Sequence, residues 1–206
     1  MPVTVLDHAI ARVILTQLRD KNTPPEAFRA LARRISTVLI VEAARALPIA
    51  DVQVETPLEV TTGHRIRTGL VAVPILRAGL GMLDPVLELM PHTAVGYIGL
   101  ERNETTAEAG LYYSKVPELS GKTVWMLDPM LATGGSASSA ARWLYDAGAA
   151  EITLLSIVAA PEGIELLARV QPNLTILTAS IDRELNHVKY ILPGLGDFGD
   201  RLFGTG

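Results

Sequence analysis

The residues best suited to chemistry run from Val124 to Ser136. An apolar stretch, Val124-Trp125-Met126-Leu127, stops at Asp128-Pro129-Met130-Leu131-Ala132, and Thr133-Gly134-Gly135-Ser136 then leads into an alanine-rich segment. That order reads as strand, loop and helix N-terminus. Small side chains let backbone N–H groups close around an anion, and the start of a helix favours negative charge. Asp128, at the strand's carboxyl end, can accept hydrogen bonds from hydroxyls of the same ligand. A phosphate cradle beside a hydroxyl acceptor suits a sugar phosphate. The loop is not a P-loop, because no Gly-Lys-Ser/Thr follows, and its glycine spacing is not that of a dinucleotide fingerprint. A strand–glycine–helix turn alone is common, so other segments must complete a site.

Three segments complement the cradle. In Val73-Pro74-Ile75-Leu76-Arg77-Ala78-Gly79-Leu80-Gly81 an arginine follows a strand, and small residues after it allow close backbone approach. The arginine fork suits pyrophosphate oxygens. Arg102 ends a second apolar run, Val95 to Leu100 with Glu101, so two arginines at strand ends can clamp a ligand with separated phosphates. The third segment is Tyr190 to Gly204, whose glycine density predicts a backbone winding through turns and not a packed helix or strand. Such a backbone can read the imide edge of a planar heterocycle by hydrogen bonding. The interleaved Tyr190, Ile191, Leu195, Phe198 and Phe203 favour a folded loop over a disordered tail.

Positioning these segments requires a parallel sheet. Leu70–Leu76, Thr123–Leu127, Ile152–Ala159 and Leu174–Ile181 read as buried strands, and Ala137–Ala147 and Pro161–Val170 as helices between them. Strands separated by helices imply βαβ units and an α/β fold, whose ligands bind outside the carboxyl ends of the strands. Upstream, Asp7 is the expected cap of a helix with the stripe Ile10, Ile14 and Leu18. Thr23 and Glu26 form a capping-box pattern for a longer helix reaching about Leu47, before Pro48. These helices, within residues 1–50, read as a flank or subunit contact. Residues 103–117 read as a solvated, mobile hairpin arm able to fold over a ligand.

Composition bounds the rest. The chain has 206 residues, 49% of them hydrophobic, which is ample for a globular core with no separate linker-joined domain. Cysteine is absent, excluding disulfides and thiolate chemistry. The net charge of −4, without a basic stripe, argues against a nucleic-acid partner. No uncharged apolar run approaches the ~18 residues of a membrane span, and the first residues lack a signal pattern, so the expected address is the cytoplasm. His8, His64, His92 and His187 lie too far apart in sequence to suggest ligand spacing.

Taken together, Ile75-Leu76-Arg77-Ala78-Gly79-Leu80-Gly81, Asp128 to Ser136, Pro193-Gly194-Leu195-Gly196-Asp197 and Gly199-Asp200-Arg201 resemble the uracil phosphoribosyltransferase family. The resemblance extends over nearly the whole chain, including Ala159-Ala160-Pro161-Glu162-Gly163 and Phe203-Gly204-Thr205. It implies the type I phosphoribosyltransferase fold, a mostly parallel sheet flanked by helices, with a flexible β-arm and a hood over residues 182–206. It implies conversion of uracil and phosphoribosyl pyrophosphate to UMP and pyrophosphate in pyrimidine salvage. Mg²⁺ would be the cofactor, carried mainly by the substrate and with no protein metal site. By the same resemblance, the donor is bound by Arg77, Ala78, Gly79, Arg102, Asp128, Pro129, Met130, Leu131, Ala132, Thr133, Gly134, Gly135, Ser136 and Asp197. Uracil is bound by Ile191, Gly196, Asp197 and Phe198, and the catalytic roles fall to Arg77, Arg102, Asp128 and Asp197.

The resemblance also implies a homodimer or larger homo-oligomer and leaves room for a GTP effector, for which no guanine-reading motif is visible. Two departures matter. Pro129 takes the place of the second of two acids found in relatives outside the uracil-specific group. Phe198 stands where the family most often has alanine, which main-chain recognition of the base tolerates and a tight pocket does not. His187 replaces a commonly acidic position. The competing readings are an RNA-binding regulator of pyrimidine genes on the same fold, and a phosphoribosyltransferase for another base or orotate.

Overall fold

Strands that are apolar along their whole length must be covered on both faces. The structure, a computed structural model, describes residues 1–67, 69–102 and 109–205, with the backbone only at 101, 102, 109 and 111. Its main sheet runs in the order β1 (Val3–Val5), β11 (Thr175–Ile181), β10 (Glu151–Ala159), β8 (Thr123–Leu127), β4 (Leu70–Leu76), β6 (Tyr97–Arg102) and β7 (Ala109–Lys115). All of these neighbours are parallel except β6 and β7. Two short strands, β5 (Ala94–Val95) and β9 (Met130–Leu131), pair with β4 and β10.

Alternation along the strands divides the core in two. Trp125 and Leu127 pack on the layer holding α1 (Ala9–Arg19), α2 (Pro25–Ala44), α3 (Leu83–Leu89) and α6 (Phe198–Phe203). Val124 and Met126 pack on the opposite layer, with α4 (Gly135–Asp146) and α5 (Pro161–Val170). β4 and β8 are in register, Leu70 beside Thr123 and Pro74 beside Leu127, so Arg77 and Asp128 leave the sheet at adjacent carboxyl ends. No helix among the described residues is long and apolar enough to cross a membrane.

Several local expectations need correction. His8, not Asp7, caps α1: its Nδ1 accepts from the Ile10 N–H at 3.2 Å, while Asp7 pairs with Arg12 at 2.8 Å. The buried stripe is Ala11, Ile14, Leu15 and Leu18, and Ile10 is exposed. Thr23 does not cap α2, because its hydroxyl donates to Gln17 O at 2.7 Å; Pro24 takes the cap position and α2 ends at Ala44. The glycine-rich tail does contain a helix, α6, because Asp197 accepts the Asp200 N–H at 2.9 Å and Phe198 and Leu202 bury one face. Of the expected arm, residues 103–108 lie outside the described residues, and Ala109–Lys115 forms β7.

One element, marked in the sequence only by the alternation Asp51-Val52-Gln53-Val54-Glu55, falls outside the expected strands. β2 (Ile49–Glu55) and β3 (Val60–Ile66) form an antiparallel ribbon, with Ile49 beside Ile66 and Glu55 beside Val60. Ile49, Val54, Leu58, Val60 and Ile66 are exposed on it. It makes its extensive contacts only within itself.

Candidate functional site

The loop after β8 folds into a cradle because β10 grips it from behind. Asp128 N–H donates to Leu155 O at 3.1 Å, and the N–H groups of Ile157 and Val158 donate to Pro129 O at 3.0 and 3.1 Å. The buried Ser156 hydroxyl accepts from Leu131 N–H at 3.2 Å and donates to Val158 O at 3.0 Å. Gly134 then caps α4 with φ +80°, a conformation open to glycine, and an added Cβ would lie 2.9 Å from Gly163 O. Gly134 has no side chain to cap α4, and apart from a long 3.5 Å bond from Gly135 N–H to the Thr133 hydroxyl its first N–H groups are open to a ligand.

Arg77 enters from the end of β4. The 3-10 turn Ala78–Met82 that follows packs tightly on β8, and a Cβ on Gly79 would lie 2.3 Å from Leu127 O. That contact places the Arg77 loop against the strand that ends in Asp128. The Arg77 guanidinium is exposed, 3.5 Å from Asp200 Oδ1 and 5.7 Å from the centre of the Phe203 ring.

A cleft of ≈ 350 Å³ is lined by Leu76, Arg77, Ala78, Asp128 and the whole cradle from Met130 to Ser136, closed on one side by Val188, Lys189 and Tyr190. A second cavity of ≈ 240 Å³ is lined by Ile191, Gly196, Asp197, Phe198 and Gly199. The two share Ala78, Met130, Ala132, Lys189 and Tyr190 as a common wall. The structure gathers most of the residues expected to hold donor and base around two adjoining spaces, but Gly79, packed on β8, and Pro129, whose carbonyl accepts from β10, line neither. Arg102 ends β6, and its side chain lies outside the described atoms.

Asp128 is partly open to the cleft and otherwise enclosed by protein. Loss of water there pushes its carboxyl up to about 6, against a weaker lowering by the Met130 N–H at 3.4 Å. Asp197 spends one oxygen on capping α6. Phe198 is among the residues that line the second cavity, and its ring is buried, edge-on to Phe28 of α2 at 5.1 Å. Among the described residues no cluster of acids and histidines could hold a metal alone.

The hood is tied down by groups that the sequence reading missed. Asp182, at the end of β11, takes both arms of Arg19 at 2.6 and 2.8 Å, the Gly194 N–H at 2.8 Å and the Ser180 hydroxyl at 2.9 Å. Burial works to raise the Asp182 carboxyl, but Arg19, Gly194 and Ser180 together hold it below the usual carboxylate range. Arg19 also donates to Gly194 O at 2.9 Å. Arg201 donates to the carbonyls of Leu18, Leu195 and Asp20, with its guanidinium 4.3 Å above the Phe28 ring centre. An arginine at a helix end gives no sequence sign of a buried partner 163 residues away.

Comparison with known proteins bears on the family and the fold. A family model for uracil phosphoribosyltransferase matches residues 5–205. A protein named uracil phosphoribosyltransferase from Fervidobacterium nodosum is 48% identical over 203 residues, covering 98% of each chain. One of the same name from Campylobacter concisus is 45% identical over 204 residues, again covering 98% of each. A solved structure from Aquifex aeolicus superposes with a TM-score of 0.94 at 35% identity, over 99% of both chains. A hypoxanthine-guanine phosphoribosyltransferase from Bacillus anthracis superposes at 0.53 with 12% identity, over 77% of this chain and 80% of that one, which shows a shared fold alone.

Proposed function

Since the chain belongs to the uracil phosphoribosyltransferase family, we propose that it transfers the phosphoribosyl group of phosphoribosyl pyrophosphate to uracil, forming UMP and pyrophosphate in pyrimidine salvage. The observation that carries this reading is the common wall between an anion-binding cleft and a cavity of exposed backbone. A donor whose 5-phosphate lies on the cradle has its anomeric carbon directed toward the base cavity.

The C1–N bond to uracil forms as the C1–O bond to pyrophosphate breaks, and the electron pair leaves with pyrophosphate. The uracil nitrogen releases its proton to solvent. Charge at C1 develops in an oxocarbenium-like manner, so no protein nucleophile is needed. The α4 N-terminus and residues 132–136 hold the phosphate, and ionised Asp128 accepts from the ribose hydroxyls. Arg77, joined by Arg102, takes charge developing on pyrophosphate. Gly196, Asp197 and the backbone of Ile191 and Phe198 orient uracil, so binding supplies much of the acceleration by alignment. Mg²⁺ would be carried mainly by the donor's own phosphate oxygens, with Asp128 and Asp197 as the protein oxygens nearest to hand, and it would supply neutralisation of leaving-group charge. The elevated Asp128 carboxyl is the kind of group that a neighbouring cation relieves.

The β2–β3 ribbon supports assembly into a homodimer or larger homo-oligomer. Two strands with apolar residues on exposed faces are marginal alone in water and gain stability when covered. GTP as an effector and a cytoplasmic address complete the family reading. The direct test is to incubate the protein with labelled uracil, phosphoribosyl pyrophosphate and Mg²⁺ and measure UMP. A panel including orotate, hypoxanthine and guanine should give turnover with uracil alone, and UMP formation no faster than without protein defeats the proposal.

A further inference from the structure

One residue beside the cleft holds a backbone conformation that its own side chain disfavours. Lys189 has φ 68°, in the left-handed region, and it is the non-glycine residue with positive φ among those described. The turn around it is firmly held. Asn186 Oδ1 accepts from the N–H groups of Val188 at 3.0 Å and Tyr190 at 2.9 Å, Lys189 N–H donates to Asn186 O at 2.9 Å, and Asn186 N–H donates to Tyr190 O at 2.8 Å. A glycine would adopt this turn freely. Strain that the surroundings enforce in this way points to a side chain with a task at that spot.

The turn joins two short strands, β12 (Glu184–Leu185) and β13 (Ile191–Leu192), at the mouth of the site. Lys189 lies on the wall common to both cavities. Among the described residues that line them, the cations are Arg77 and Lys189, and Arg77 already has Asp200 nearby. The Lys189 ammonium forms no ion pair among the described residues. Its charge is felt by Glu162, whose carboxyl is lowered first by backbone hydrogen bonds and, as a lesser cause, by Lys189. A donor with three phosphates, beside ionised Asp128, brings more negative charge than Arg77, Arg102, one divalent cation and the cradle's partial charges balance.

We infer that Lys189 is a further binding residue for the phosphoribosyl donor, its exposed ammonium meeting phosphate oxygens from the hood side of the cleft. This rests on the transferase reading above. Charge, not shape, is the operative property, so arginine can substitute for it and asparagine cannot, although asparagine tolerates the turn.

The test is calorimetric titration of phosphoribosyl pyrophosphate with Mg²⁺ into the wild-type protein, Lys189→Asn and Lys189→Arg at low and high salt, with UMP formation measured alongside. Equal melting temperatures establish that the variants fold. Lys189→Asn should bind donor about five- to tenfold more weakly at low salt, as loss of one partly exposed charge-assisted contact predicts. Its binding should also depend less on salt, its KM for uracil should be unchanged, and Lys189→Arg should recover most of the affinity. Wild-type donor affinity and salt dependence in Lys189→Asn overturn the inference and leave Lys189 a turn residue. Because the titration needs no turnover, wild-type protein that binds donor but forms no UMP defeats the activity reading while the Lys189 assignment stands.

Discussion

Asp128→Asn should make the ligand-free protein more stable at neutral pH while impairing it as an enzyme. The Asp128 carboxyl is displaced from 3.8 to about 6, chiefly by loss of water. At about 1.36 kcal/mol per pKa unit, holding the ionised form costs the folded protein at most about 3 kcal/mol at neutral pH. Solvent entering the open side of the cleft trims the expected gain in the variant to about 1–3 kcal/mol, a rise of roughly 2–10 °C in Tm for a chain of this size. Asparagine keeps the shape and can still accept the Met130 N–H.

The sign follows from proton binding. With a raised folded value, the folded protein holds the Asp128 proton more tightly than the unfolded chain does. That contribution is fully present below 3.8 and is lost as pH rises through about 6. The advantage of Asp128→Asn should therefore be largest above pH 7 and vanish near pH 4. Turnover should move the other way: loss of a charged acceptor for the ribose hydroxyls removes about 1.5–3 kcal/mol, or roughly 10- to 150-fold in kcat/KM. Thermal melts of both proteins from pH 4 to 8, with UMP assays at pH 7.5, measure each quantity. A variant no more stable than wild type at pH 7.5, or a stability difference independent of pH, refutes the argument.

Three other outcomes follow from the same geometry. Arg77→Ala should lower kcat/KM by roughly 10²-fold or more, as removal of one charge-stabilising donor does elsewhere, with little change in Tm because the side chain is exposed; near-normal turnover by the folded variant contradicts its role. Asp182→Asn strips Arg19 of its partner and loosens the Gly194 turn, which should cost about 2–4 kcal/mol in urea unfolding and raise the KM for uracil more than that for donor. The folded Asp182 carboxyl is lowered, so its contribution is present above its unfolded value and fades as acidification passes the folded one; equal acid sensitivity of wild type and variant counts against it. Phe198→Ala should cost about 3–4 kcal/mol by opening a core cavity against Phe28, yet leave base selectivity unchanged, and acceptance of larger bases by the variant would show that the ring does face the pocket.

The fold and the strand–loop–helix geometry of the cradle were legible in the sequence because both depend on local order. Leu70–Leu76 and Thr123–Leu127 are apolar runs that only a doubly covered sheet accommodates, and each gives way to a polar residue, Arg77 with small residues directly after it and Asp128 with small residues from Ala132 onward. Strand termination, backbone access and helix entry are written in neighbouring residues, so Arg77, Asp128 and Thr133–Ser136 could be picked out without a structure. Cap choice was less legible: Asp7 and His8 both suit α1, and Arg12 decides between them by taking Asp7. The ribbon from Ile49 to Ile66 alternates polar and apolar residues at Asp51-Val52-Gln53-Val54-Glu55, but both of its faces are largely exposed because it packs on little of its own chain.

Tertiary structure alone decided which side chains line the two cavities. Phe198 and Lys189 are nine positions apart, and nothing in their spacing says that the first packs its ring on Phe28 while the second stands on the wall common to both cavities. The same holds for Arg19 and Asp182, which find each other only when α1 lies across the end of β11 and a buried carboxylate must be matched by charge and hydrogen bonds. Local sequence specifies the conformations a segment can adopt at low cost. Burial and pairing among distant segments select which of them persists.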